Sequence, residues 1–137
     1  MATSKRELAI AALATRLGAV RNPYRQDYDA GTFPLTTLIE GEESVLDRSY
    51  DDVIISAPII IERMDKYAEA EERTTAANDL LRWIIETALG DDPTIGGKAE
   101  DIQYTGGATV FSETGSQLVG AVANFDLIYR QVQGSPY

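Results

Sequence analysis

From Asp51 to Arg63 the chain reads DDVIISAPIIIER, and its side chains fall into two sets: Val53, Ile55, Ala57, Ile59 and Ile61 on one side of an extended backbone, Ile54, Ser56, Pro58, Ile60 and Glu62 on the other. An alternation with a period of two is the pattern of a β-strand with a buried face, and a helix cannot present it. A single strand cannot bury that face alone, so the chain needs a sheet and a layer to cover it. Pro58 lacks the N–H that a ladder on both sides requires, which predicts an edge position or a bulge at that point.

Other elements follow from their own periods. Ser4 and Glu7 form a Ser-x-x-Glu pattern in which the hydroxyl accepts from a first-turn N–H and the carboxylate reaches back to the N–H of the cap. Ile10, Leu13, Leu17 and Val20 then recur at helical spacing, with Gly18 as the stop. Between Tyr67 and Leu89, Ala77, Leu80, Leu81, Ile84, Ile85 and Ala88 make a helical stripe, flanked by Trp83, with Glu69, Glu71 and Glu72 near its positive end. Gly90 ends this helix and Asp92–Pro93 keeps it from resuming. Strands are expected around Val20–Tyr24 and Leu35–Gly41. Ile102–Phe111 and Gln117–Val132 read as a hairpin around SETGS, with Val119, Ala121, Ala123, Phe125, Leu127 and Tyr129 buried. The expected fold is α+β: an antiparallel or mixed sheet of about four to five strands, two main helices on one face, in the order helix, strands, helix, hairpin. One domain covers residues 1–137, and residues 132–137, ending in GSPY, read as a free or partner-bound tail.

The chain has neither cysteine nor histidine. Disulfide frameworks, thiolate zinc sites, His-dependent triads and the HExxH metal helix are therefore excluded. Thr15 and Arg16 interrupt the first apolar stretch, so neither a signal peptide nor a membrane span is expected there. The net charge is −10, but Met1–Arg25 holds five basic residues against one acidic. The acidic remainder argues against a general nucleic-acid-binding surface, because phosphate affinity comes largely from Lys and Arg.

GDDPTIGGKAEDIQYTGG, from Gly90 to Gly107, is the one glycine-rich stretch with a lysine in it. A phosphate loop needs Gly-Lys-Ser/Thr leading into a helix, whereas Gly97–Lys98 leads through Glu100 and Asp101 into a strand. Asp91, Asp92, Glu100 and Asp101 offer hard oxygen ligands but lack EF-hand spacing. These glycines read as joints. In the loop YRQDYDAGTF, Tyr24, Tyr28 and Phe33 either lid the domain's own core or anchor a neighbouring subunit.

Taken together, RELAIAALATRL, the RNPYRQ-to-FPLTTLIEGEE segment, DDVIISAPIIIER, LLRWIIETALGDDPTIGG and AEDIQYTGGATVFSETGSQLVGAVANFDLIYR resemble the tail terminator proteins of long-tailed bacteriophages, the minor tail protein U-like or tail completion family. The resemblance runs from the first helix to the last strand. It implies a structural virion protein of α+β fold with no catalysis and no cofactor: a hexameric ring that caps the head-proximal end of the tail tube, stops its polymerisation and joins the head-completion or neck protein. It also implies assembly in the host cytoplasm, no membrane, and DNA that passes through the ring without specific binding. In such a ring each subunit uses two different patches. The expected patches are Tyr24, Arg25, Tyr28 and Phe33, and the turn Glu113, Thr114, Gly115 and Ser116. Repulsion between acidic copies makes assembly salt-dependent, with the basic first segment expected to pair with acidic partners. Two other readings compete: another head–tail joining or neck component, and a small cytosolic α+β enzyme or ligand-binding module working with carboxylates.

Overall fold

The computed structural model describes residues 3–22, 34–66, 72–111 and 118–137. Its first helix, α1 (Lys5–Leu17), starts at Ser4, whose hydroxyl accepts from the Glu7 N–H at 3.1 Å, and stops at Gly18 in the left-handed region with φ 64°. The reciprocal half of the expected capping box is not made: the Glu7 carboxylate goes to Arg21 instead, at 2.6 and 2.9 Å.

Strands β1 (Val20–Arg21), β2 (Leu35–Glu40), β3 (Ser44–Arg48) and β4 (Asp52–Lys66) follow, then α2 (Arg73–Leu89) and the hairpin strands β5 (Asp101–Phe111) and β6 (Leu118–Val132). They form one mixed sheet in the order β1-β2-β4-β6-β5, with β3 also beside β4. The β1–β2 pair is parallel and every other pair is antiparallel. The fold is therefore α+β in a single domain, with six strands among the described residues.

The position of Pro58 differs from the expectation. β4 is a central strand, paired with β6 along its whole length. On its other side, β2 covers Ile59–Met64 and β3 covers Val53–Ser56, and Pro58 faces the gap between them. In an antiparallel strand a residue's N–H and C=O point to the same side. The Pro58 carbonyl accepts from the Gly41 N–H at 2.8 Å, and its missing N–H falls where the chain leaves the ladder. Gly41 suits this close passage: a Cβ there would lie 2.7 Å from the proline ring and 2.9 Å from its carbonyl oxygen.

Both helices lie on one face of the sheet. Ile10 and Leu13 of α1, Ile84 and Ala88 of α2, Leu38, Ile59, Ile61, Phe125 and Leu127 make one buried cluster. Each large side chain fully buried there contributes about 1.5–3 kcal/mol. The alternations read from the sequence hold: Val53, Ile55, Ala57, Ile59 and Ile61 of β4 are all buried, as are Val119 through Tyr129 at every second position of β6. Val53, Ile55, Ala57 and Tyr129 form a smaller, separate cluster at one end of the sheet.

Arg16 joins the two helices, donating to the Ala88 and Leu89 carbonyls at 3.1 and 3.3 Å, a cation where the negative end of α2 needs one. Trp83 of α2 sits at the core margin with the Arg63 guanidinium stacked 3.7 Å from its ring centre. Residues 132–137, expected to be a free or partner-bound tail, begin with the last residue of β6 and then turn back on the domain. The Tyr137 carbonyl accepts from the Val132 N–H at 2.7 Å, and the Pro136 carbonyl from the Lys5 N–H at 2.9 Å.

Candidate interaction surfaces

The residues singled out as ring contacts, Tyr24, Arg25, Tyr28 and Phe33 with Glu113, Thr114, Gly115 and Ser116, all lie outside the described residues. What the structure describes is the ground on either side of the first loop. Asn22, at φ 42°, donates its N–H to the Leu38 carbonyl at 2.8 Å. Its side-chain oxygen accepts from the Glu40 N–H at 3.0 Å, and its amide donates to the Glu40 carboxylate.

Around this point runs an ionic chain. Arg21 bridges Glu7 and Glu40, while Arg6 reaches Glu43 at 3.2 Å and the Gly41 carbonyl at 2.8 Å. Hydrogen bonding to Arg21 holds the Glu7 carboxyl below the usual carboxylate range, and the same bond raises the Arg21 guanidinium. Tyr129, 1% exposed, closes the chain by donating its hydroxyl to Glu43 at 3.0 Å. Burial first of all pushes this phenol up to about 12. Arg6, Arg16 and Arg21 of the basic first segment thus find their partners inside the domain, which leaves them unlike the intersubunit cations expected from the charge distribution.

The stretch from Gly90 to Gly107 is held by its own side chains. One oxygen of Asp92 accepts from the Thr94 N–H and hydroxyl at 3.0 and 2.5 Å, and the other from the Gly96 N–H at 2.7 Å. These bonds, led by that to the Thr94 side chain, lower its carboxyl. Glu100 pairs with Arg130 at 3.4 Å, and Asp101 accepts from the Ile102 N–H and the Gln103 amide. No three acidic side chains among the described residues converge on a metal-sized position. Gly96 and Gly97 have φ of 66° and 81°, as joints do. Ile95 shares the left-handed region at φ 51° although it is β-branched, and its side chain is buried in the main core. That burial holds the turn against α1, where Leu8, Ala11 and Ala12 line a shallow groove of about 540 Å³ with Ile95.

The face of the sheet opposite the helices carries a second set of side chains. Ile39, Ile54, Ile60, Met64, Val122 and Ile128 occupy the alternate positions that point away from the helical layer. Ile39 and Ile60 are 39% and 41% exposed. Glu62 lies among them, half-buried, and loss of water raises its carboxyl. The letters of β4 contain this second apolar set, but a period of two gives it only as the face opposite the core, and no site follows from the period alone.

Two sheet edges add to it. All five residues of β3 are exposed, including Val45 and Leu46, and β5 forms the outermost strand on the other side, with Tyr104 and Phe111 exposed. No helix among the described residues is long and apolar enough to cross a membrane. Compared with known proteins, the chain matches no family model and no curated relative.

Proposed function

We propose that this chain is a structural subunit of the tail-terminator type, six copies of which form a ring on the head-proximal end of a long phage tail tube, end its polymerisation and offer a joint to the neck. The observation that carries this reading is the one-sided layering of the fold. Helices cover one face of the sheet, and the other presents Ile39, Ile54, Ile60, Met64, Val122 and Ile128. Ile39 and Ile60, adjacent and exposed, stand on that face among Ser56, Glu62, Asn124 and Asp126, a mixture of apolar and polar side chains of the kind a subunit buries against a neighbour in an assembly. The element order, helix, strands, helix, hairpin, supports the same reading. Some of the described carboxylates also lean toward it: Glu7, Glu40, Glu43, Asp52 and Glu100 are paired with arginines and so serve as structural anchors.

The test is assembly of tail-tube subunits in the presence of the full chain, with imaging of tube ends. Tubes that stop growing and carry a six-fold ring at one end are expected, and Ile60→Lys should weaken this capping while leaving the fold intact. Tubes that elongate unchanged, with no density at either end, overturn the proposal.

A further inference from the structure

From Gln103 to Phe111, the edge strand β5 contains no charged residue and no proline. Alternate N–H and C=O groups along the free side of an edge strand are open to another strand, and soluble proteins usually guard them with lysine, proline, a bulge or an overlying segment. Here one irregularity between Tyr104 and Gly106 interrupts the ladder, and beyond it Gly106 to Phe111 run in regular register with β6. Gln103, Tyr104, Thr105, Gly107, Ala108 and Phe111 are exposed. The other side of the sheet is guarded differently: β3 carries Asp47 and Arg48, and Arg21 and Glu40 at the ends of β1 and β2 are locked in an ion pair.

We infer that in the free protein the β5 edge pairs antiparallel with the β5 edge of a second copy, about a two-fold axis close to Gly107. Charge selects this occupant. Each copy carries a net −10, so most ways of bringing two copies together oppose carboxylates. The uncharged run is the exception, and it is complementary to itself. Reversed about Gly107, with Thr105 left out of the ladder at the bulge, it sets Tyr104 opposite Thr109 on the helical face and Gln103 opposite Val110 on the other, the first an aromatic and β-branched pair of the kind that stabilises cross-strand contacts, with no like charges facing. A two-fold interface uses the same patch on both subunits, which a single edge can supply. The two sheets then continue as one, with the helices of both copies on the same face. This pair describes the chain before it meets any tail, and it stands or falls independently of the terminator reading.

The test is light scattering of the full chain at high micromolar concentration, with Ala108→Lys as the variant. Ala108 is exposed and would sit beside the axis, so the substitution sets two ammonium groups close together. The wild type is expected to be a dimer, and A108K a folded monomer with a dissociation constant raised at least about tenfold. A monomeric wild type, or an A108K dimer of unchanged affinity, overturns the inference. Should A108K fail to fold, Ala108→Cys decides: this chain has no other cysteine, so a short bis-maleimide should give one covalent dimer on a denaturing gel. Absence of that band overturns the pairing.

Discussion

Replacing Tyr129 with Phe removes one hydroxyl and nothing else from the point where β6, the β2–β3 connection and α1 meet. The ring is fully buried and stays so in the variant, so no cavity opens. What is lost is the 3.0 Å bond to Glu43. A hydrogen bond to a charged acceptor contributes about 1.5–3 kcal/mol. Glu43, whose side chain is 41% exposed, keeps Arg6 and water as partners, so the loss should fall to about 1–2 kcal/mol. For a domain of this size that lowers the unfolding midpoint by about 3–8 °C. Burial of the phenol first, and its bond to Glu43 after that, shape the alkaline limb. The folded phenol titrates at about 12, above its ordinary value of 10.0, so the unfolded chain releases its proton first. The stability conferred by the neutral phenol is fully present below pH ~10 and is lost as pH rises through the folded value. Thermal unfolding by circular dichroism at neutral pH and across this range measures both effects. A double-mutant cycle with Glu43→Gln then isolates the pair. A Tyr129→Phe midpoint equal to that of the wild type, or substitutions additive within about 0.3 kcal/mol, would refute the coupling.

Gly41→Ala should destabilise the domain by about 2 kcal/mol in urea denaturation, because its Cβ would meet both the ring and the carbonyl of Pro58, and backbone cannot swing aside. Arg16→Met keeps the aliphatic stem but frees the last carbonyls of α2, at an expected cost of about 1 kcal/mol, read as faster amide exchange near Leu89. On the acid side, the Glu7 carboxyl is lowered in the fold, so its contribution is present above the ordinary carboxylate range and is lost as pH falls through the lowered value. Glu7→Gln should flatten that part of the pH–stability curve, by under about 1 kcal/mol since the pair is largely open to water.

Elements whose local pattern decides their burial are legible in the amino-acid sequence. β4, β6, the stripe of α2 and the caps at Ser4 and Gly18 each carry their own period or stop signal, and they stand where that signal puts them. β3 is not legible in this way. All five of its side chains are exposed, it has no alternation to read, and a register shift between Val45 and Asp47 breaks it further. It is a strand because β4 offers it a ladder. Pro58 escapes for the opposite reason: its missing N–H is plain from its chemistry, but only tertiary structure shows that two neighbours can share one side of a strand and leave a gap between them. The second sheet face is present in Ile54 and Ile60, yet period alone does not say which face a helical layer will take. Glu7 illustrates the same limit, since an arginine placed by β1 outcompetes its own helix cap.

The gap at Pro58 also divides the sheet in time. It marks the boundary between the large helix-covered core and the small cluster of Val53, Ile55, Ala57 and Tyr129. Across that line the ladder beside β4 is carried by the Gly41 N–H alone, and β3 beyond it buries no side chain of its own. Segments with few buried contacts open at free energies well below global unfolding. Amide exchange should therefore split this flank of β4 into two populations: slow protons on β2 that report the whole domain, and fast protons on β3 that come and go while everything on the other side of the proline stays folded.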